Sequence, residues 1–288
     1  MKQLIFNADD FGMTNGVNAG IIRGHREGVL TSATLMANGL AFDDAVANAI
    51  ANPKLGVGCH LVLVGGKSVS PPAQIPSLAD PQGNLPDSLT MFAARVTAGR
   101  IKAEDIEREL RAQIQKIRAS GIVPTHLDTH KHTHAHPRVM EVVGKVAQEF
   151  EITKIRRPIE NLRDSWQSTR EDAQGYSKQI AAAGAVRVVA SRFQSIAEKY
   201  RLTCPDHFLG LAMTGQLGPT ALCRMTESVE EGSSEIMLHP GICDEDLAAS
   251  GSRLQQQRET ELQGLLDAGV REAISKRGIH LISFRELN

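Results

Sequence analysis

The chain has 288 residues, 41% of them apolar and 23% charged, with 32 basic side chains against 33 acidic ones. That length suits one large domain or two small ones, and the composition excludes collagen-like, disordered and disulfide-scaffold chains. A near-zero net charge gives no support to nucleic acid as a partner, since that leaves a basic stripe in the sequence.

Met-Lys-Gln leads into the apolar Leu4-Ile5-Phe6 and then Asn7-Ala8-Asp9-Asp10, too short and too soon acidic for a signal peptide. No apolar run approaches the roughly 20 residues that cross a bilayer, so a soluble, cytoplasmic protein is expected. Strands are predicted over 3–6, 30–36, 55–63, 123–128, 152–155, 208–212, 235–238 and 280–284. Helices are predicted over 16–26, 42–51, 103–119, 138–150 and 253–276. Thr14 is expected to cap the first helix, Gly28 to end it, and Pro137 to open the helix after a histidine cluster. Repeated strand-then-helix order predicts a single α/β domain over 1–288, an irregular (β/α) barrel of TIM-barrel type. Two stretches break the rhythm. Residues 64–90, with five prolines and three glycines, form a long ordered loop after strand three, and residues 159–206 are helical in places without a clear strand.

In such a fold the chemistry sits at the carboxyl ends of the strands. Strand one ends in Asp9-Asp10-Phe11-Gly12, strand three holds Gly58-Cys59-His60-Leu61, strand four runs into Asp128-Thr129-His130-Lys131-His132, and a late strand ends in His239-Pro240-Gly241. Five of the ten histidines are His126, His130, His132, His134 and His136. In extended backbone, Asp128 and the last four would share one face at steps of about 6.6 Å, so one ion can take two adjacent members at most. His136 is expected at the helix start, His134 near the rim and His126 lower in the barrel. Asp9 and Asp10 point to opposite faces in a regular strand, so a turn must reorient one of them if both serve one site. Desolvating the pair requires a cation, a proton or hydrogen bonds. His60 and His239 join this group by position, whereas His25, His207 and His280 are read as structural. The four cysteines, Cys59, Cys204, Cys223 and Cys243, include no C-x-x-C pair and are read as buried thiols.

Asn7-Ala8-Asp9-Asp10-Phe11-Gly12 with Asn18, Gly58 to Leu61, Thr125 to His132 and Glu235 to Gly241, taken in order, resemble the YdjC/ChbG family of carbohydrate deacetylases. His60 through Val64, Pro71-Pro72, Ile75-Pro76, Asp80 to Gly83 and Phe208 to Gly215 are similar to the hopanoid-biosynthesis-associated (HpnK-type) members. The resemblance implies a distorted barrel, a divalent metal on Asp10, His60 and His130, Asp9 as general base and His239 as acid. His132, Asp128, Asn38 and Arg157 then fall on the substrate side, with His130 and His132 interchangeable as ligands on sequence grounds. Zinc or magnesium is the expected ion, with manganese, cobalt and nickel as alternatives. The implied substrate is an N-acetylglucosaminyl hopanoid or, alternatively, a chitooligosaccharide or other soluble N-acetyl sugar. A homodimer and transient contact with a membrane surface are compatible with it. Rival classes are an amidohydrolase, a two-metal phosphoesterase, or a metal- or sugar-binding protein without turnover. Against these stand aspartates rather than His-x-His on strand one, too few carboxylates for two metals, and the presence of Asp9 and His239, which metal binding alone does not need.

Overall fold

Residues 1–160 and 190–288 are described by a computed structural model. In chain order they form β1 (Lys2–Phe11), α1 (Asn15–Glu27), β2 (Ser32–Leu35), α2 (Phe42–Ala51), β3 (Gly56–Leu61), α3 (Leu89–Thr97), α4 (Ala103–Ala119), β4 (Leu127–Thr129) and α5 (Pro137–Glu149). Then follow α6 (Ala190–Lys199), β5 (His207–Leu209), α7 (Pro219–Glu227), β6 (Gly232–Leu238), α8 (Glu245–Ala249), α9 (Gln256–Leu266), α10 (Ala268–Lys276) and β7 (His280–Leu281). The strands pair in parallel in the order β4-β3-β2-β1-β6-β5, and β7 adds to β1. The sheet curls like part of a barrel. The strand predicted at 152–155 joins it through single bridges only, Leu127 to Ile155 and Lys154 to Thr203.

Alternation along the strands separates two environments. Leu4, Phe6 and Ala8 of β1 belong to the main apolar core, whereas Ile5 packs with Ile282, Phe284 and Leu287 in a small separate cluster. Ile5 pairs in register with Glu235 and Asn7 with Met237, so the concave face of the sheet changes from apolar at its base to polar toward the strand ends. His126 is buried low on this face, as expected, with its ring stacked on Phe284 at 3.7 Å. Gly58 makes room for it, because a Cβ there would lie 2.5 Å from the imidazole.

Punctuation follows the sequence. Thr14 accepts from the Val17 amide, Gly28 ends α1, and Pro137 opens α5 behind His136, whose ring accepts from Arg138 N–H. The helix predicted over 253–276 is two helices, since Asp267 leaves helical geometry and caps α10 through the Gly269 and Val270 amides. Residues 62–88 carry one short 3₁₀ turn (Pro72–Gln74) and one antiparallel bridge, Lys67 to Asn84. Buried side chains of α4 hold this segment: Gln113 bonds Val62, Glu109 accepts from the Val69 and Ser70 amides, and Asp105 accepts from Ser77. Of the stretch 159–206, residues 161–189 lie outside the described residues.

Candidate active site

Asp9 and Asp10 stand where β1 loses register with β2, between Ala8 and Phe11. Asp10 has φ +66°, a left-handed conformation unusual for a residue with a Cβ, and this irregularity lets two adjacent carboxylates serve one site. The histidine run is not extended. Residues 130–135 coil into a 3₁₀ turn in which Lys131 and His132 have φ of 54° and 52°, so the expected single face of imidazoles is broken up.

The coil brings His130, not His132, to the aspartate. Asp10 Oδ1 lies 3.2 Å from His130 Nδ1 and 3.4 Å from His60 Nε2, and the two nitrogens are 3.2 Å apart. Asp10 Oδ1 is buried without a hydrogen-bond partner. Ligand atoms around a tetrahedral ion with bonds of about 2.0–2.1 Å are about 3.3 Å apart, so the spacing fits a metal ion. His60 is held from behind: its Nδ1–H donates to Asp128 Oδ1 at 2.7 Å, and the Thr34 hydroxyl donates to Asp128 Oδ2 at 3.0 Å. A carboxylate behind a ligating imidazole fixes its tautomer and orientation.

Two buried arginines compensate the carboxylates. Arg156, just after the 152–155 segment, donates to Asp9 at 2.6 and 2.8 Å, to Asp128 at 2.9 Å and to Glu235 at 2.7 and 2.8 Å. Arg258 on α9 donates to Asp10 Oδ2 at 2.6 Å. Asp9, Asp10, Asp128 and Glu235 against these two guanidinium groups leave an excess of two negative charges among buried groups. Without a cation the excess is relieved by protons. Burial disfavours charge on His60, but the Asp128 carboxylate that accepts from its Nδ1–H and the Asp10 carboxylate nearby outweigh it and raise its pKa to about 10. Burial pushes Glu235 up to about 7 despite Arg156. A divalent ion would supply the missing charge.

Burial also opposes ionisation of Asp9 and Asp10, yet Arg156 holds Asp9, and Arg258 with the two histidines holds Asp10, below the usual carboxylate range. His239, directly after β6, places Nε2 at 3.9 Å from Asp9 Oδ2. Burial lowers its pKa to about 4 despite Asp9 and Asp10. A second acidic set, Asp9, His60 and Asp128, is close enough to hold an ion. Arg156 already occupies both of its carboxylates, so the Asp10 set is the better metal site.

The remaining sequence candidates separate. The His132 ring meets Phe208 edge-on at 5.9 Å, and its Nδ1 is buried without a partner. His134, expected at the rim, is fully buried between Thr129, the Arg156 carbonyl and Phe193, because the 3₁₀ turn folds it inward. Asp128, expected on the substrate side, is fully buried and committed to His60, Thr34 and Arg156. Arg157 turns to the Asp206 carbonyl, and Asn38 donates to the Lys67 carbonyl in the loop after β3. Sequence reading missed Arg156, Arg258 and Glu261. Arg156 directly follows the predicted strand 152–155, and Arg258 and Glu261 share the buried side of α9 with Leu262 and Leu265.

The sequence matches the YdjC-like protein family over residues 3–276. The chain belongs to that family. It is 36% identical to a carbohydrate deacetylase of Brevibacillus brevis over 99% of both chains. It is 32% identical to a chitooligosaccharide deacetylase of Salmonella typhimurium, again over 99% of both. Among solved structures, a protein of Enterococcus faecalis V583, provisionally described as a cellobiose-phosphate cleavage protein, superposes with a TM-score of 0.79 at 26% identity, covering 99% of this chain and 98% of that one. No helix among the described residues is long and apolar enough to cross a membrane.

Proposed function

We propose that the protein is a metal-dependent deacetylase that hydrolyses the acetamido group of an N-acetylated amino sugar to the free amine and acetate. The observation that carries this is the convergence of Asp10, His60 and His130 on one point beside an ionised Asp9 and an imidazole, His239. The deacetylase names of full-length relatives support it. A divalent ion held by Asp10, His60 and His130 supplies Lewis acidity toward the acetyl carbonyl oxygen and an activated water. Two imidazoles and one carboxylate at near-tetrahedral spacing favour zinc over magnesium, which prefers oxygen ligands.

Asp9 takes a proton from the attacking water. Its bidentate contact with Arg156 aims the carboxylate and keeps it ionised across the working pH range. His239 is neutral at pH 7 by its lowered pKa, so it carries a proton only within the reaction cycle, receiving it across the 3.9 Å gap from Asp9 and passing it to the departing nitrogen. Such a transfer removes the need to expel an amide anion. His132 is assigned to the sugar, a reading its buried Nδ1 without a hydrogen-bond partner supports. Asn38, bonded to the Lys67 carbonyl in the loop after β3, is assigned to the outer part of the sugar, whereas Arg157 is engaged with the Asp206 carbonyl just before β5 and takes no part in this reading.

Within this class we favour an N-acetylglucosaminyl hopanoid as substrate, on the segments His60 to Val64, Asp80 to Gly83 and Phe208 to Gly215. A chitooligosaccharide is the second candidate, on the Salmonella relative. Acetate release from both substrates in direct competition, with and without chelator, tests the proposal. Preferential turnover of the glycolipid supports the first, preference for the oligosaccharide supports the second, and no acetate from any N-acetyl sugar rejects the deacetylase itself.

A further inference from the structure

The ring of His239 has a second carboxylate neighbour. Asp9 of β1 approaches Nε2, and Glu261 of α9 lies on the other side with Oε2 3.8 Å from Nδ1. Nδ1 is buried and has no hydrogen-bond partner, and Glu261 is fully buried. The carboxylate is fixed by the backbone: Oε1 accepts from the Gly215 amide at 2.6 Å and Oε2 accepts from the His239 amide. One helical turn earlier on α9, Arg258 grips Asp10. A single rigid helix therefore reaches both the aspartate of the metal site and the imidazole beside it.

We propose that Glu261 is a positioning residue for His239, anchoring its backbone amide and pairing with Nδ1 so that Nε2 faces Asp9 and the departing amine. This rests on the role given to His239 in deacetylation. A carboxylate at one ring nitrogen fixes the tautomer presented by the other and stabilises the imidazolium when it forms. At 3.8 Å the pair is longer than a formed hydrogen bond, and catalytic contacts of this kind commonly tighten only when substrate binds. Burial pushes the Glu261 carboxyl up to about 7 against its backbone donors and Arg258, so above that pH it is ionised and only accepts, whereas a glutamine would turn an NH₂ toward one of these donors. The other charged or titratable groups acting on the ring are Asp9 and Asp10 of β1, Arg156, Arg258 and His132.

The test compares Glu261→Gln in the metal-loaded wild type and in a His239→Ala background. Expected are unchanged metal content, a roughly 10–100-fold fall in kcat with KM nearly constant, and no further loss when His239 is absent. An equal loss in the His239→Ala background, or a rise in KM alone, would overturn the proposal. Nitrogen-15 spectra of the histidines in the wild-type holoprotein, with His239 assigned by its absence in His239→Ala, need no substrate and no Glu261 variant. A His239 Nδ1 engaged in a hydrogen bond supports the pairing, and a free one contradicts it whether or not the protein proves to be a deacetylase.

Discussion

Arg156 and Arg258 are both buried beside the same pair of aspartates, yet they are bound in opposite ways. Arg156 is surrounded by Asp9, Asp128 and Glu235, which come from β1, β4 and β6. Arg258 meets one carboxylate oxygen, that of Asp10, and its Nη1 has no hydrogen-bond partner. The first is a hub that holds three strands together; the second is a prop behind Asp10, the proposed metal ligand. Buried arginines in one site can therefore differ in whether the fold or the metal depends on them.

The comparison can be broken by substitution. Asp9→Asn removes the proposed base held by the hub, and kcat is expected to fall about 100- to 10,000-fold with bound metal retained, measured by acetate release and metal analysis. Unchanged turnover would remove Asp9 from the reaction. Arg156→Met strands three buried carboxylates, and chemical denaturation should show a loss of about 3–5 kcal/mol, because a buried charge left without its partner is strongly destabilising. Arg258→Met should leave most of that stability intact while weakening metal binding about 10- to 100-fold, since Asp10 loses the contact that orients it. If the two variants lose equal stability, the distinction between hub and prop fails. The smallest effect concerns pH. Metal-free His60 stays protonated up to about 10 and must lose that proton to become a ligand, so affinity should rise with pH by up to about tenfold per unit below that point. Calorimetric titration in buffers of different ionisation enthalpy would register the released proton, and its absence would show that His60 is already neutral.

Much of this site was legible because strand-end chemistry leaves a local trace. Asp9-Asp10, His60 and His239 each interrupt or follow an apolar run, and parallel α/β order places such positions together. The choice between His130 and His132 was not legible, because it depends on a left-handed turn at Lys131 and His132 that ordinary side chains rarely adopt. Arg156 directly follows the predicted strand 152–155, but Ile152-Thr153-Lys154-Ile155 already holds a cation, so a further one leaves little trace, and the resemblance points to Arg157 beside it instead. Arg258 and Glu261 lie on a stretch predicted only as a helix, 253–276, and their meaning appears only when they fall on the buried side with Leu262 and Leu265. Strand extents suffered in the same way: 280–284 shortens to His280–Leu281, because the chain then turns to place Phe284 under His126.

Metal dependence is tested most directly by stripping the protein with chelator and following acetate release from an N-acetylglucosamine oligosaccharide as zinc is returned stepwise. Activity should be lost on stripping, rise in proportion to bound metal and level off at one ion per chain in the wild type, while His60→Ala fails to recover. Full acetate release by the stripped protein, or recovery of His60→Ala alongside the wild type, would contradict a metal centre built on Asp10, His60 and His130.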